Sequence, residues 1–232
     1  MKKIGFIGAY DKTDMLLHIA KILTALGIKT VVIDSTINQK AKYVVPVINP
    51  TTSYITEFEE FDVAVGFKNF DAMEQYLGLG ETEELEYDIA LIDTDSSNVF
   101  SAFRMEDAYI NYFVTSFDLF SLKKGLEILS GLREEIKMTK VLFSKYMTNE
   151  EDDYLNYLSK EYKITWSDIK IYFPFEIGDK SAIIENQRVS KIKFRNLSSQ
   201  YKESILFMVE QIIGNISTNE LRKIMKSIEK GV

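Results

Sequence analysis

The residues of this chain best suited to hold an anion stand together near its start. Gly8, Ala9, Tyr10, Asp11, Lys12, Thr13 and Asp14 follow a short apolar run and lead straight into a helical pattern, which puts Lys12 and Thr13 at a helix N-terminus. Orphan N–H groups and the helix dipole favour negative charge there. A loop that closes around phosphates needs glycines for close backbone approach, a lysine over the outer phosphates and a Ser or Thr hydroxyl on magnesium. Lys12 and Thr13 suit the last two roles, and Asp93, at the end of the apolar run Ile89-Ala90-Leu91-Ile92, could hold a magnesium-bound water. Yet the residue before Lys12 is Asp11, where glycine is needed. A solvated helix start capped by Asp11 or Thr13 explains the same residues, and both readings stay open.

The acidic residue carries a magnitude. A carboxylate about 4 Å from a phosphate costs on the order of 4 kcal/mol at an effective dielectric of ~20, roughly a thousandfold in affinity. That cost falls if Asp11 pairs with Lys12 or faces solvent.

Elements that could position these residues recur along the chain. Apolar runs rich in Ile, Val and Phe predict strands over 3–8, 29–34, 88–93, 109–115, 139–144 and 168–172. Amphipathic stretches between them complete the pattern of a mostly parallel, doubly wound α/β sheet with helices on both faces. Met15, Leu16, Ile19, Ala20, Ile22, Leu23 and Leu26 form the stripe of a first helix that Gly27 can end. Further helices are expected over 119–133, 149–161 and 199–213. Between Tyr43 and Phe67, two β-branched runs around Asn49-Pro50-Thr51 suit an extended excursion or an edge hairpin. In such a sheet the ligand crevice lies beyond the carboxyl ends of the strands, where Gly8, Asp34 and Asp93 fall.

With 232 residues, 46% of them apolar, and only three prolines, the chain reads as one domain over 1–232. The 35 acidic against 28 basic residues give a net charge of −7, which repels a polyanion and makes nucleic acid an improbable partner. The absence of cysteine excludes disulfides and thiolate metal sites, and one histidine argues against an imidazole zinc site. No run approaches the ~20 apolar residues that cross a bilayer, so the expectation is a cytoplasmic protein.

The order and spacing of these pieces resemble the MinD/ParA superfamily of deviant Walker A ATPases, a P-loop fold. Gly8 to Asp14 is similar to the family's phosphate loop, Val32-Ile33-Asp34 to the strand whose aspartate begins switch I, and Asp88-Ile89-Ala90-Leu91-Ile92-Asp93-Thr94 to the Walker B strand. Phe113-Val114-Thr115-Ser116 resembles the next strand, and Tyr172-Phe173-Pro174-Phe175 the segment bordering the adenine. The resemblance thus implies ATP and magnesium as cofactors, held by Gly8, Ala9, Asp11, Lys12, Thr13, Asp34, Asp93 and Pro174, with Thr13 and Asp93 toward the metal. Departures point the other way: Ile7 stands where the signature lysine would, Ala9 and Asp11 replace glycines, Asp14 replaces a threonine, Asp95 and Ser96 replace prolines, and Lys145 lies near the base-contacting asparagine. The degenerate loop looks most like the CpaE/TadZ group, associated with polar localisation and Flp/Tad-type pilus assembly. These departures favour a noncatalytic localisation or assembly factor for a secretion or pilus machine, without a cofactor and with room for a homodimer. An active ATP-dependent dimerising switch and an unrelated Rossmann-like anion-binding enzyme are the alternatives.

Other features have plainer readings. His18, beside apolar neighbours, is expected to be a surface or core-edge residue, and the acidic clusters around 81–86 and 150–153 to be solvated. Arg188, Lys191, Lys193, Arg195 and Lys202 form a basic stretch interleaved with Val189, Ile192, Phe194 and Tyr201, read first as a solvated face. Over 217–230, Leu221, Ile224, Met225 and Ile228 share one helical face opposite Arg222, Lys223, Lys226 and Lys230. Such a tail suits peripheral contact with the inner face of a membrane or packing on its own domain.

Overall fold

A computed structural model describes residues 1–48, 51–80, 82–144, 149–174 and 176–230. In chain order these form β1 (Lys2–Ile7), α1 (Thr13–Ala25), β2 (Thr30–Asp34), α2 (Ala41–Val44), β3 (Tyr54–Phe58), β4 (Phe61–Val65), α3 (Phe70–Leu77), β5 (Ile89–Thr94), α4 (Ser97–Ala102), β6 (Ile110–Ser116), α5 (Leu119–Ile128), β7 (Ile136–Phe143), α6 (Asn149–Leu158), β8 (Ile164–Phe173), α7 (Ile177–Val189), α8 (Ser199–Ile213) and α9 (Thr218–Lys230). The strands make one eight-stranded sheet in the order β3-β4-β2-β5-β1-β6-β7-β8, parallel throughout except for β3. This is the doubly wound architecture that the strand periodicity predicts.

Two apolar cores, one on each sheet face, follow from the strands' alternation. Phe6, Val32, Leu91 and Tyr112 pack with α1, α8 and α9, while Ile7, Ile33, Ile92 and Phe113 pack with Met73, Phe100, Leu122 and Leu126 on the opposite side. The stripe of α1 is buried as expected, and Gly27 follows its end at φ 78°. His18 is buried too, its Nδ1 against the Asp14 carbonyl and its ring edge-on to Phe194 and Tyr201.

Three expectations shift. The hairpin pairs Tyr54–Phe58 with Phe61–Val65, so its turn is Glu59-Glu60, both at positive φ, several residues beyond Thr51. Asn49 and Pro50 lie outside the described residues. The helix expected to reach Arg133 ends at Ile128, because β7 already begins at Ile136 beside Ile164 of β8. The C-terminal stripe is not a free tail: Leu221 and Met225 are buried in the core that holds α1 and α8, with Ile228 packed against it. Among the described residues no helix is long and apolar enough to cross a membrane.

Candidate functional site

β1 lies between β5 and β6, so the chain reverses its winding direction there and the carboxyl ends of these strands open into a crevice. Gly8 leaves β1 at φ 147°, and a Cβ on it would stand 2.1 Å from the Val114 carbonyl oxygen. Only glycine passes that point. Ala9 and Tyr10 then carry the loop to Asp11, whose Oδ1 accepts the Thr13 N–H at 3.2 Å. The first amide of α1 is therefore held by the chain's own carboxylate, while the N-cap position itself is Lys12, which makes no side-chain cap bond.

Lys12 does not extend over the crevice. It is 3% exposed, its Nζ lies 2.6 Å from Asp93 Oδ1, and it donates to the Gly8 carbonyl at 2.9 Å and the Tyr10 carbonyl at 3.4 Å. Burial pushes the Asp93 carboxyl up to about 7, opposed by the Lys12 ammonium and reinforced by Asp34 on the neighbouring strand.

Asp34 folds the segment that follows β2. It accepts from Thr36 N–H at 3.1 Å, Thr36 Oγ1 at 2.6 Å and Ala41 N–H at 2.9 Å, while Asp95 accepts from Ile37 N–H at 2.9 Å. These bonds bring Lys40 over the start of α1, where its Nζ lies 2.5 Å from Asp11 Oδ2 and 2.6 Å from Asp14 Oδ2. Gln187 of α7 donates to both oxygens of Asp14, at 2.8 and 3.0 Å. Burial works against the Lys40 ammonium, but Asp14 and Asp11 outweigh it and raise its pKa. The result is a bridge from the β2–α2 segment across the loop to α7.

Two cavities flank the bridge and share Tyr10, Asp11 and Lys40 as lining. One, of about 490 Å³, is bounded by Gly8, Ala9, Thr13, Asp93 and Asp95. The other, of about 350 Å³, holds Phe143, Pro174, Ile183 and Gln187. Tyr10 separates them in part, its ring 4.7 Å from that of Phe143.

The structure thus gathers Gly8, Ala9, Asp11, Lys12, Thr13 and Asp93 around one cavity and Pro174 on the adjoining one, while Asp34 shapes the approaching segment. Lys145 lies outside the described residues. Asp11 does not stand unpaired: Lys40 neutralises it, so the cost of a bare carboxylate beside a phosphate does not apply as reckoned. A magnesium nucleotide nonetheless meets a site whose donors are engaged, since Asp11 holds the Thr13 amide and Asp93 holds Lys12. In this arrangement the residues present do not fit it. Ile7 is wholly buried, and Lys2 and Lys3 donate to the Ile212 and Arg104 carbonyls at the opposite edge of the sheet. Lys40 and Gln187 escaped the sequence reading. The pair Lys40 and Lys42 soon after the Asp34 strand is a faint hint, and nothing marks Gln187.

No protein-family model matches this chain, and no curated relative matches it. Solved structures do. A plasmid partition protein of Borrelia burgdorferi B31, bound to AMPPNP, aligns over 93% of this chain and 99% of its own with 14% identity and a TM-score of 0.57. A ParA family ATPase of Chlorobium tepidum aligns over 90% and 97%, with 12% identity and a TM-score of 0.58. MinD from the MinC:MinD cell division complex of Aquifex aeolicus aligns over 94% and 98%, again with 12% identity and a TM-score of 0.58. The fold is that of the MinD and ParA proteins.

Proposed function

We propose that this chain is a noncatalytic localisation or assembly factor, built on the MinD/ParA fold, whose loop charges are satisfied by its own side chains instead of by Mg-ATP. The observation that carries this reading is the closed circuit Thr13–Asp11–Lys40–Asp14 beside the Lys12–Asp93 pair. A polyphosphate entering this loop displaces a carboxylate from an amide and draws Lys12 from a buried partner, and it finds no further glycine amides at positions 9 and 11. The fold then acts by presenting a surface to a partner protein. A structural neighbour bound to MinC supports protein recognition as the mode of action, and the resemblance to the CpaE/TadZ group favours a secretion or pilus assembly as the machine served.

The test is a titration of a fluorescent ATP analogue with magnesium into wild type and Asp11→Gly. The proposal expects no saturable wild-type binding below about 1 mM, a ceiling of ~4 kcal/mol in binding free energy, and only a modest gain in the variant. Micromolar wild-type binding with phosphate release would establish a working switch instead.

A further inference from the structure

On the α3 side of the sheet, away from the loop, a groove of about 620 Å³ lies between the β3–β4 hairpin and a wall of Leu77, Leu79 and residues 83–87. Its floor is apolar, with Leu77 44% exposed and Leu79, Leu85 and Tyr87 packed beneath or beside it. Its rim carries six carboxylates against one ammonium, that of Lys29. Glu57 and Glu84 on this rim are exposed and have no side-chain partner among the described residues. The matching surface is on the same chain. Arg188, Lys191, Lys193 and Arg195 are exposed and form no ion pair among the described residues, and Val189 between them is 40% exposed. The outward aim of Lys191, Lys193 and Arg195 is fixed, because the alternating Ile192 and Phe194 are buried in the core that holds α1 and α8.

The geometry points to a head-to-tail association in which the basic ridge 188–195 of one copy docks in the acid-rimmed groove of the next. A ridge cannot enter its own groove, since the two belong to cores on opposite faces of the sheet. Aliphatic stems of Lys and Arg cover a leucine floor while their cationic ends meet the carboxylate rim. The two patches are different surfaces, so the contact is heterologous and leaves a free groove and a free ridge at the ends of each assembly. One groove and one short ridge make a contact of the small, transient class rather than of the permanent one, so the association is weak and concentration-dependent. This association does not depend on the nucleotide reading.

Sedimentation velocity of the full chain tests it, with a groove variant (Glu57→Gln with Glu84→Gln) and a ridge variant (Lys191→Gln with Arg195→Gln). All four positions are exposed, and circular dichroism checks that each variant is folded. Expected is a wild-type sedimentation coefficient that rises with concentration up to about 300 μM at low ionic strength and falls back in ~0.5 M salt. Each variant alone stays monomeric, while an equimolar mixture stops at dimers, because only one pairing survives. A wild type that remains monomeric throughout overturns the proposal, even if a Leu/Lys/Arg peptide used as probe then binds the groove. Association that ignores both variants overturns it equally.

Discussion

Lys12 and Asp93 lie 2.6 Å apart with almost no exposure on either side chain, so the balance between burial and pairing sets the proton affinity of the carboxylate. Unfolded, Asp93 titrates near 3.8, and folded it titrates at about 7. Between these values the folded chain holds the extra proton, so the stability this group contributes is fully present below the lower value and decays as pH rises through the upper one. His18 acts in the opposite sense: burial lowers its pKa from 6.5, so its contribution is present above that value and is lost as pH falls. The difference between wild type and Asp93→Asn isolates the carboxylate. Urea midpoints at about pH 5 and 7 should show the variant gaining on wild type as pH rises, at up to ~1.4 kcal/mol per unit. Lys40 is a second test at this scale. With its side chain one-third exposed, Lys40→Met should cost about 1 kcal/mol by the same urea measurement, narrowing in high salt. Asp11 was legible in the sequence as an obstacle to phosphate. Its partner was not, because Lys40 lies 29 positions away and is brought there only by the fold of the segment after β2.

The elements divide by how local their causes are. β1, β2, β5 and β6 sit in the middle of the sheet, buried on both faces, and their apolar runs announce them. The β3–β4 turn is hidden because Glu59 and Glu60 take φ of 51° and 71° without the Asn or Gly that usually marks such a turn. There Lys21 holds the turn by an ion pair with Glu59 at 2.9 Å and a bond to the Glu59 carbonyl, support from another element that no local pattern reveals. The starts of β7 and β8 are hidden for a related reason: a register shift between Met138 and Lys140 breaks the alternation. Two substitutions test the element scale. Gly8→Ala drives a Cβ into the Val114 carbonyl at 2.1 Å from a positive-φ residue, and should lower stability by about 3 kcal/mol or more. Leu221→Ala should cost about 2–4 kcal/mol in chemical denaturation, because Leu221 is wholly buried on the inner face of α9. A free amphipathic tail would instead leave stability unchanged.

At the scale of the whole molecule, the fold and the site answer to different parts of the sequence. Strand periodicity and helix stripes announce a doubly wound α/β sheet, and the solved structures that share this fold identify it as the MinD/ParA one at 12–14% identity. The site depends on a handful of residues at the sheet's carboxyl edge. There glycines are few, and charges that could serve a nucleotide serve one another. Pattern reasoning could locate the crevice through Gly8, Asp34 and Asp93, yet the pairing inside it is a property of three-dimensional packing. The most direct measurement of that pairing follows the Thr13 amide by two-dimensional NMR while magnesium and ATP are added to about 5 mM. The account predicts that its resonance stays in place, because Asp11 already holds the N–H. A shift that saturates at tens of micromolar nucleotide, shared by Lys12 and Gly8, would contradict it.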